Sequence, residues 1–197
     1  MDITAAIVQD LRKRTGIGMM ECKSALTEAD GDMAKAITIL RKKGYARAEK
    51  KSTRETSEGI VGSYIHANLK IGVLIEVNCE TDFVARNEEF QEMVKNIAMH
   101  IAAADPRYIS SNNIPEEGLA EEKDIIRGQL KDSNKPPEIM EKIVEGKLNK
   151  YFQEVCLLNQ TYIKDDKMSI EDLVKSFIAK TGENVVISRF ARYQIGD

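Results

Sequence analysis

The residues able to do covalent or metal chemistry are few and poorly placed for it. Only two histidines, His66 and His100, and three cysteines, Cys22, Cys79 and Cys156, occur in 197 residues. No two cysteines form a CxxC pair, and neither histidine stands at ligand spacing from a cysteine or from the other histidine, so the sequence encodes neither a zinc knuckle nor a disulfide framework. The thiols read as small buried apolar residues. There is no GxxxxGKS/T phosphate loop, no GxSxG elbow and no HExxH pair, and Gly16-Ile17-Gly18 is too short for a dinucleotide fingerprint. The acidic pairs Glu116-Glu117 and Glu121-Glu122 follow a proline at a helix start, where negative charge complements the helix dipole. They read as a solvated face, not as general acids.

Two segments stand out by local logic. In Thr15-Gly16-Ile17-Gly18-Met19-Met20 an interhelical turn leads into consecutive methionines, which lie about 100° apart on a helix and so cannot both face one small core. At least one of them should join an exposed patch, where a flexible thioether adapts to irregular partners. In Glu80-Thr81-Asp82-Phe83-Val84-Ala85-Arg86-Asn87 a strand gives way to a helix through a short turn that carries an acid beside two apolar residues. Phe83 at such a loop tip must fold back over the sheet edge or enter a partner.

The elements that position these segments follow from periodicity. Residues 1–44 read as three short helices. Thr4 caps the first, whose stripe is Ile3, Ile7, Val8 and Leu11 and which ends at Thr15-Gly16. Met20, Ala25, Leu26 and Ala29 lie near one face of the second, which stops at Asp30-Gly31-Asp32. Met33, Ala36, Ile37 and Leu40 mark the third, which runs to Gly44 after Arg41-Lys42-Lys43. A charged connector, Tyr45–Glu58, follows, with a helical continuation at its start left open. The period then changes to two: the runs Ile60–His66 and Ile71–Cys79 flank Ala67-Asn68-Leu69 as a β-hairpin. Asn87 caps a helix with the stripe Phe90, Val94, Ile97 and Ile101. After the loop Ala104–Pro115, helical patterns cover Glu116–Leu130, Pro137–Leu148 and Tyr151–Leu158. Ser169 and Asp172 open a last helix that ends at Gly182, and Val185–Tyr193 is a closing strand. The predicted fold class is α+β. A three-helix domain with its charged connector occupies residues 1–56, and an α+β core with a small antiparallel sheet covered by helices occupies residues 57–197.

Composition sets limits on function. The chain is 42% apolar and 31% charged with a net charge of −3, enough to build a core and of the wrong sign for a basic nucleic-acid coat. Residues 1–57 carry 12 Lys/Arg against 8 Asp/Glu, so the remainder is net acidic. No run approaches the roughly 18 apolar residues of a membrane span. Met1-Asp2-Ile3-Thr4 lacks the basic and apolar pattern of a secretory signal, which predicts a cytoplasmic or organelle-matrix setting. Arg41-Lys42-Lys43 and Lys50-Lys51 around Tyr45 leave one rival reading, a nucleic-acid-binding module.

The segments LRKRTGIGMMECKSALTEADGD (Leu11–Asp32), EVNCETDFVARNEEF (Glu76–Phe90) and GKLNKYFQEVCLLNQTYIKDD (Gly146–Asp166) fall in order along the chain and closely resemble the elongation factor Ts family of translation factors. Two of the three contain the segments singled out above. The resemblance implies a guanine-nucleotide exchange factor, not an enzyme, that acts on the GTPase elongation factor Tu. It implies a ubiquitin-associated-like N-terminal domain docking through Arg12, Met19 and Met20, and a core tip, Thr81, Asp82, Phe83 and Val84, reaching toward the nucleotide site. No cofactor and no direct nucleic-acid or membrane partner is implied. Long family members have a duplicated core, whereas 197 residues hold one core with a reduced insertion. A short member could compensate by pairing two copies, with the closing strand as the edge that receives a second chain.

Overall fold

The computed structural model describes residues 3–130 and 136–196, so Met1 and Asp2 of the amino-terminal signal reading lie outside the described residues. Eight α-helices and a three-stranded sheet occur among the described residues, an α+β architecture. The chain divides into two compact units: residues 1–62, 76–94 and 172–187 form the first, and residues 63–75, 95–171 and 188–197 the second.

In the first unit, α1 (Ala5–Thr15), α2 (Met19–Glu28) and α3 (Met33–Lys51) wrap one apolar cluster. Val8, Leu11, Cys22, Ala25, Leu26, Ala29, Ala36 and Leu40 are its buried residues, flanked by Ile3, Ile7, Ile17, Met33, Ile37 and Ile39. Local capping fixes the ends. Thr4 Oγ1 accepts the Ile7 N–H, Asp32 Oδ1 accepts the Lys35 N–H, and Gly16 closes α1. Two expectations need correcting. Met20 is 78% exposed, so it does not belong to the core face of α2. The third helix does not stop at Gly44 but runs through it to Lys51, so of the two readings of the connector's start the helical continuation is the right one. Gly44 is a site of close approach: a Cβ built there would lie 2.7 Å from the Ala179 Cβ. The basic run therefore sits mid-helix.

The sheet has strand order β1-β2-β3, with β1 (Glu58–Ile65), β2 (Ile71–Cys79) and β3 (Val185–Gln194). Every second residue of β2, from Val73 to Cys79, is buried, as one covered face requires. The expected turn after β2 is a one-turn helix, α4 (Asp82–Ala85), followed by α5 (Glu88–Ala104), whose start Asn87 marks by accepting the Glu89 N–H at 2.8 Å. In the first unit Phe90 of α5 stacks obliquely on Phe177 of α8 (Ile170–Thr181), ring centres 5.6 Å apart.

In the second unit, α6 (Glu116–Gly128) and α7 (Pro137–Val155) pack through Ile126, Leu130, Val144 and Leu148. The two helical patterns expected between Pro137 and Leu158 are one helix to Val155. It ends where the Val155 and Tyr108 carbonyls enter a short backbone ladder with Tyr108 and Leu157, and a 3-10 turn at Leu157–Asn159 follows. The fully buried His100 receives the Ile163 N–H on Nδ1 (3.3 Å) and so presents Nε2–H to Gln160 Oε1 (3.0 Å). Gln160 Nε2 in turn donates to the carbonyls of Ala104 and Glu154. Among the described residues no buried side-chain polar atom lacks a hydrogen-bond partner.

Candidate functional site

All seven residues singled out from the sequence fall in the first unit. Arg12 is exposed on the last turn of α1, and Met19 and Met20 form the first turn of α2, 37% and 78% exposed. This agrees with the argument that consecutive methionines cannot both enter the bundle core.

The second group is built around a polar cap. Thr81 is the N-cap of α4, its Oγ1 accepting the Val84 N–H at 3.5 Å. Backbone bonds from Ala85 to Thr81, from Arg86 to Asp82 and from Asn87 to Val84 complete the turn, and the Cys79 thiol donates to the Thr81 carbonyl. Ala85 is buried and Val84 half-buried, anchoring one side. Asp82 pairs with Arg86 at 3.1 Å. Phe83 faces the other way and is 82% exposed, the most exposed of the large apolar side chains among the described residues. A ring this exposed on a hydrogen-bonded turn is held out; it does not cover the sheet edge.

Beneath the tip lies a set of polar contacts that sequence reading missed. Glu183 accepts from both the Thr81 N–H (3.1 Å) and the Thr81 hydroxyl (2.7 Å). Glu80 accepts the Asn184 N–H at 2.6 Å and pairs with Arg54 at 3.3 Å. The Asn184 bond, with Arg54, holds the Glu80 carboxyl below its ordinary pKa, against the opposing effect of partial burial. The only sequence signal was the glycine-terminated end of a helix. The partners lie about a hundred residues away.

Of the basic residues behind the nucleic-acid reading, Arg41, Lys43 and Lys51 are engaged within the first unit, as is the neighbouring Arg47. Arg41 donates to the Tyr45 hydroxyl and pairs with Asp172 at 3.6 Å, while Lys43 pairs with Glu28 and Arg47 with Glu21. Desolvation and the Asp172 contact push the Tyr45 phenol up. Burial likewise raises Cys79 and Cys156, and all three thiols are buried and free. Among the described residues no group of three or more His, Cys, Asp or Glu side chains could hold a metal ion, and no helix is long and apolar enough to cross a membrane.

The fold and this site together define an α+β protein whose distinctive surface is an apolar tip on a capped turn, in the same unit as a three-helix bundle bearing exposed methionines. The family model described as Elongation factor TS matches residues 23–197. The chain is 56% identical over 195 residues to Elongation factor Ts of Thermosipho melanesiensis, covering 99% of this chain and 100% of that protein. It is 55% identical to Elongation factor Ts of Fervidobacterium nodosum, with both chains fully covered. It is 56% identical to that of Thermodesulfovibrio yellowstonii, covering 100% of this chain and 98% of that protein. The chain belongs to the elongation factor Ts family.

Proposed function

We infer that this protein is a guanine-nucleotide exchange factor that binds elongation factor Tu in its GDP form and promotes GDP release during the elongation phase of protein synthesis. The observation that carries the reading, beside family membership, is the 82% exposed Phe83 on a turn capped by Thr81. GDP on a GTPase is held largely by backbone N–H groups around its phosphates and by a Mg²⁺ ion, so small displacements of those groups cost much of the affinity. Phe83 acts as a wedge that repacks side chains beneath the phosphate loop, with Thr81, Asp82 and Val84 shaping the contact. Arg12, Met19 and Met20 dock the bundle, residues 1–56, on the nucleotide-binding domain. The protein needs no catalytic group and no cofactor of its own, and it acts in the cytoplasm or an equivalent compartment.

Coupling is reciprocal: if the factor weakens GDP binding, GDP weakens factor binding by the same ratio, and incoming GTP expels the factor. The test is release of labelled GDP from elongation factor Tu with and without this protein. Strong acceleration is expected, and unchanged release with the intact protein would overturn the assignment. The nucleic-acid reading is disfavoured by the sparse aromatics and net acidic chain, and two of its basic residues, Arg41 and Lys43, already pair with acids within the chain.

A further inference from the structure

Glu183 and Asn184, in the turn between α8 and β3, hold the supports of both halves of the candidate site. Glu183 takes the Thr81 N–H and hydroxyl on separate carboxylate oxygens, fixing the residue that caps the Phe83 turn. Asn184, 2% exposed, donates from Nδ2 to the carbonyls of Ser52 (3.4 Å) and Arg54 (2.9 Å), just beyond the end of α3. Its backbone N–H meets Glu80 at 2.6 Å, and Arg54 closes back on Glu80. Lys51, the last residue of α3, donates to the Gly182 carbonyl. Gly182 has φ +80°, a left-handed conformation that lets α8 end and aims the next two residues at these partners. One short turn thus grips the end of the bundle helix α3 and the base of the tip.

The geometry points to Glu183 and Asn184 as positioning residues for exchange: a clamp that fixes the Phe83 tip relative to α3, against which the Met19–Met20 helix packs. This rests on the exchange-factor reading. A wedge delivers binding energy to another protein only if it is held in place before contact, because ordering it afterwards subtracts from the same energy. A carboxylate accepting two donors from one residue is directional in a way an apolar contact is not.

The test uses the full chain with Glu183→Ala, Glu183→Gln and Asn184→Asp, the two Glu183 variants each alone and combined with Phe83→Ala. Three quantities are measured: the maximal rate of labelled GDP release at saturating factor, the half-saturating concentration, and amide hydrogen exchange at Val84 in the free protein. Glu183→Ala is expected to lower the maximal rate and speed Val84 exchange about tenfold each, the size of one hydrogen bond to a charged group, with the half-saturating concentration moving less than about twofold. Glu183→Gln recovers part of both, because its amide oxygen still accepts the Thr81 hydroxyl. In the Phe83→Ala background the Glu183 substitutions should have no further effect on release, since they act through the ring. Unchanged Val84 exchange in Glu183→Ala, an equal further loss without the ring, or a lowered melting temperature with an unchanged maximal rate each overturns the clamp. If Glu183→Ala does not fold, Glu183→Gln gives the same readings at smaller size through the lost Thr81 N–H bond, and Asn184→Asp, which removes the donor to the Ser52 and Arg54 carbonyls, must lower the maximal rate or the α3 side of the clamp is overturned. If the intact protein fails to accelerate release, the exchange-factor reading falls, while Val84 exchange still decides whether Glu183 fixes the tip.

Discussion

Phe83→Ala separates binding from folding more cleanly than any other substitution in this chain. The ring is 82% exposed, so its removal leaves no cavity and takes almost nothing from the core. Stability should change by less than about 0.5 kcal/mol, a melting shift of roughly 1–2 °C for a protein of this size. On the exchange-factor reading the same ring passes, in the complex, from water into a partner, a transfer worth about 1.5–3 kcal/mol when complete. That energy is present only when the two proteins are together, so its loss should lower the efficiency of GDP release about 10- to 150-fold. The assay is a titration of labelled GDP release against variant concentration, with circular-dichroism melting of both proteins run in parallel. A variant that melts like the parent and exchanges like the parent refutes the wedge. A variant that melts several degrees lower refutes the premise that the ring has no internal role.

The bundle, the helix contact and the buried histidine give three more expectations. Met19→Ala with Met20→Ala should weaken docking, raising the half-saturating concentration about tenfold or more while melting changes little, because Met20 is largely and Met19 partly exposed; surface-binding measurements on the immobilised GTPase check this. Gly44→Ala should lower stability by about 1–3 kcal/mol, since the added methyl falls 2.7 Å from the Ala179 Cβ, and urea denaturation reads the shift directly. His100 is held neutral by burial, which lowers its pKa more than the Gln160 contact raises it. Between the ordinary histidine value of about 6.5 and its lower folded value, the unfolded chain binds the extra proton and the folded chain does not, so stability falls as pH falls through that window. Melting curves from pH 7.5 to 5.5 should show the loss, and His100→Asn should start lower and slope less.

Elements with a strong local signal were legible in the sequence. The β-hairpin, the Asn87-capped α5, the last helix ending at Gly182 and the closing strand all stand within a residue or two of where alternation and caps put them. Failures came where a distant partner decided the outcome. Gly44 looked like a helix stop and is instead a thin point facing Ala179. The Tyr151–Leu158 segment reads as separate from Pro137–Leu148, yet α7 runs unbroken through Asn149-Lys150 to Val155. Exposure of at least one methionine was readable, because two adjacent residues cannot share one small core; for Phe83 local logic left two outcomes, and the capped turn selects the outward one. The supporting residues were not. Glu183 and Asn184 bond to residues 102 to 132 positions earlier, and nothing local to TGEN announces that.

Those distant bonds explain how an apolar tip can be both exposed and stable. An unburied phenylalanine forgoes hydrophobic stabilisation in the free protein and invites nonspecific association. At this tip the exposure is limited to one ring, flanked by the Asp82–Arg86 ion pair and seated on a turn in which the Thr81, Val84, Ala85, Arg86 and Asn87 amides are hydrogen-bonded. Rigidity then comes from polar contacts below and not from apolar contacts around the ring, which leaves the ring free for a partner. The same arrangement sets the direction of coupling. On the exchange-factor reading, a tip held rigidly should not yield when it meets the phosphate-binding region of a GTPase, so the displacement should fall on the partner's side and weaken nucleotide binding there. Loosening the clamp should therefore shift the displacement back onto this chain: the complex still forms through the methionine patch, but GDP stays bound for longer.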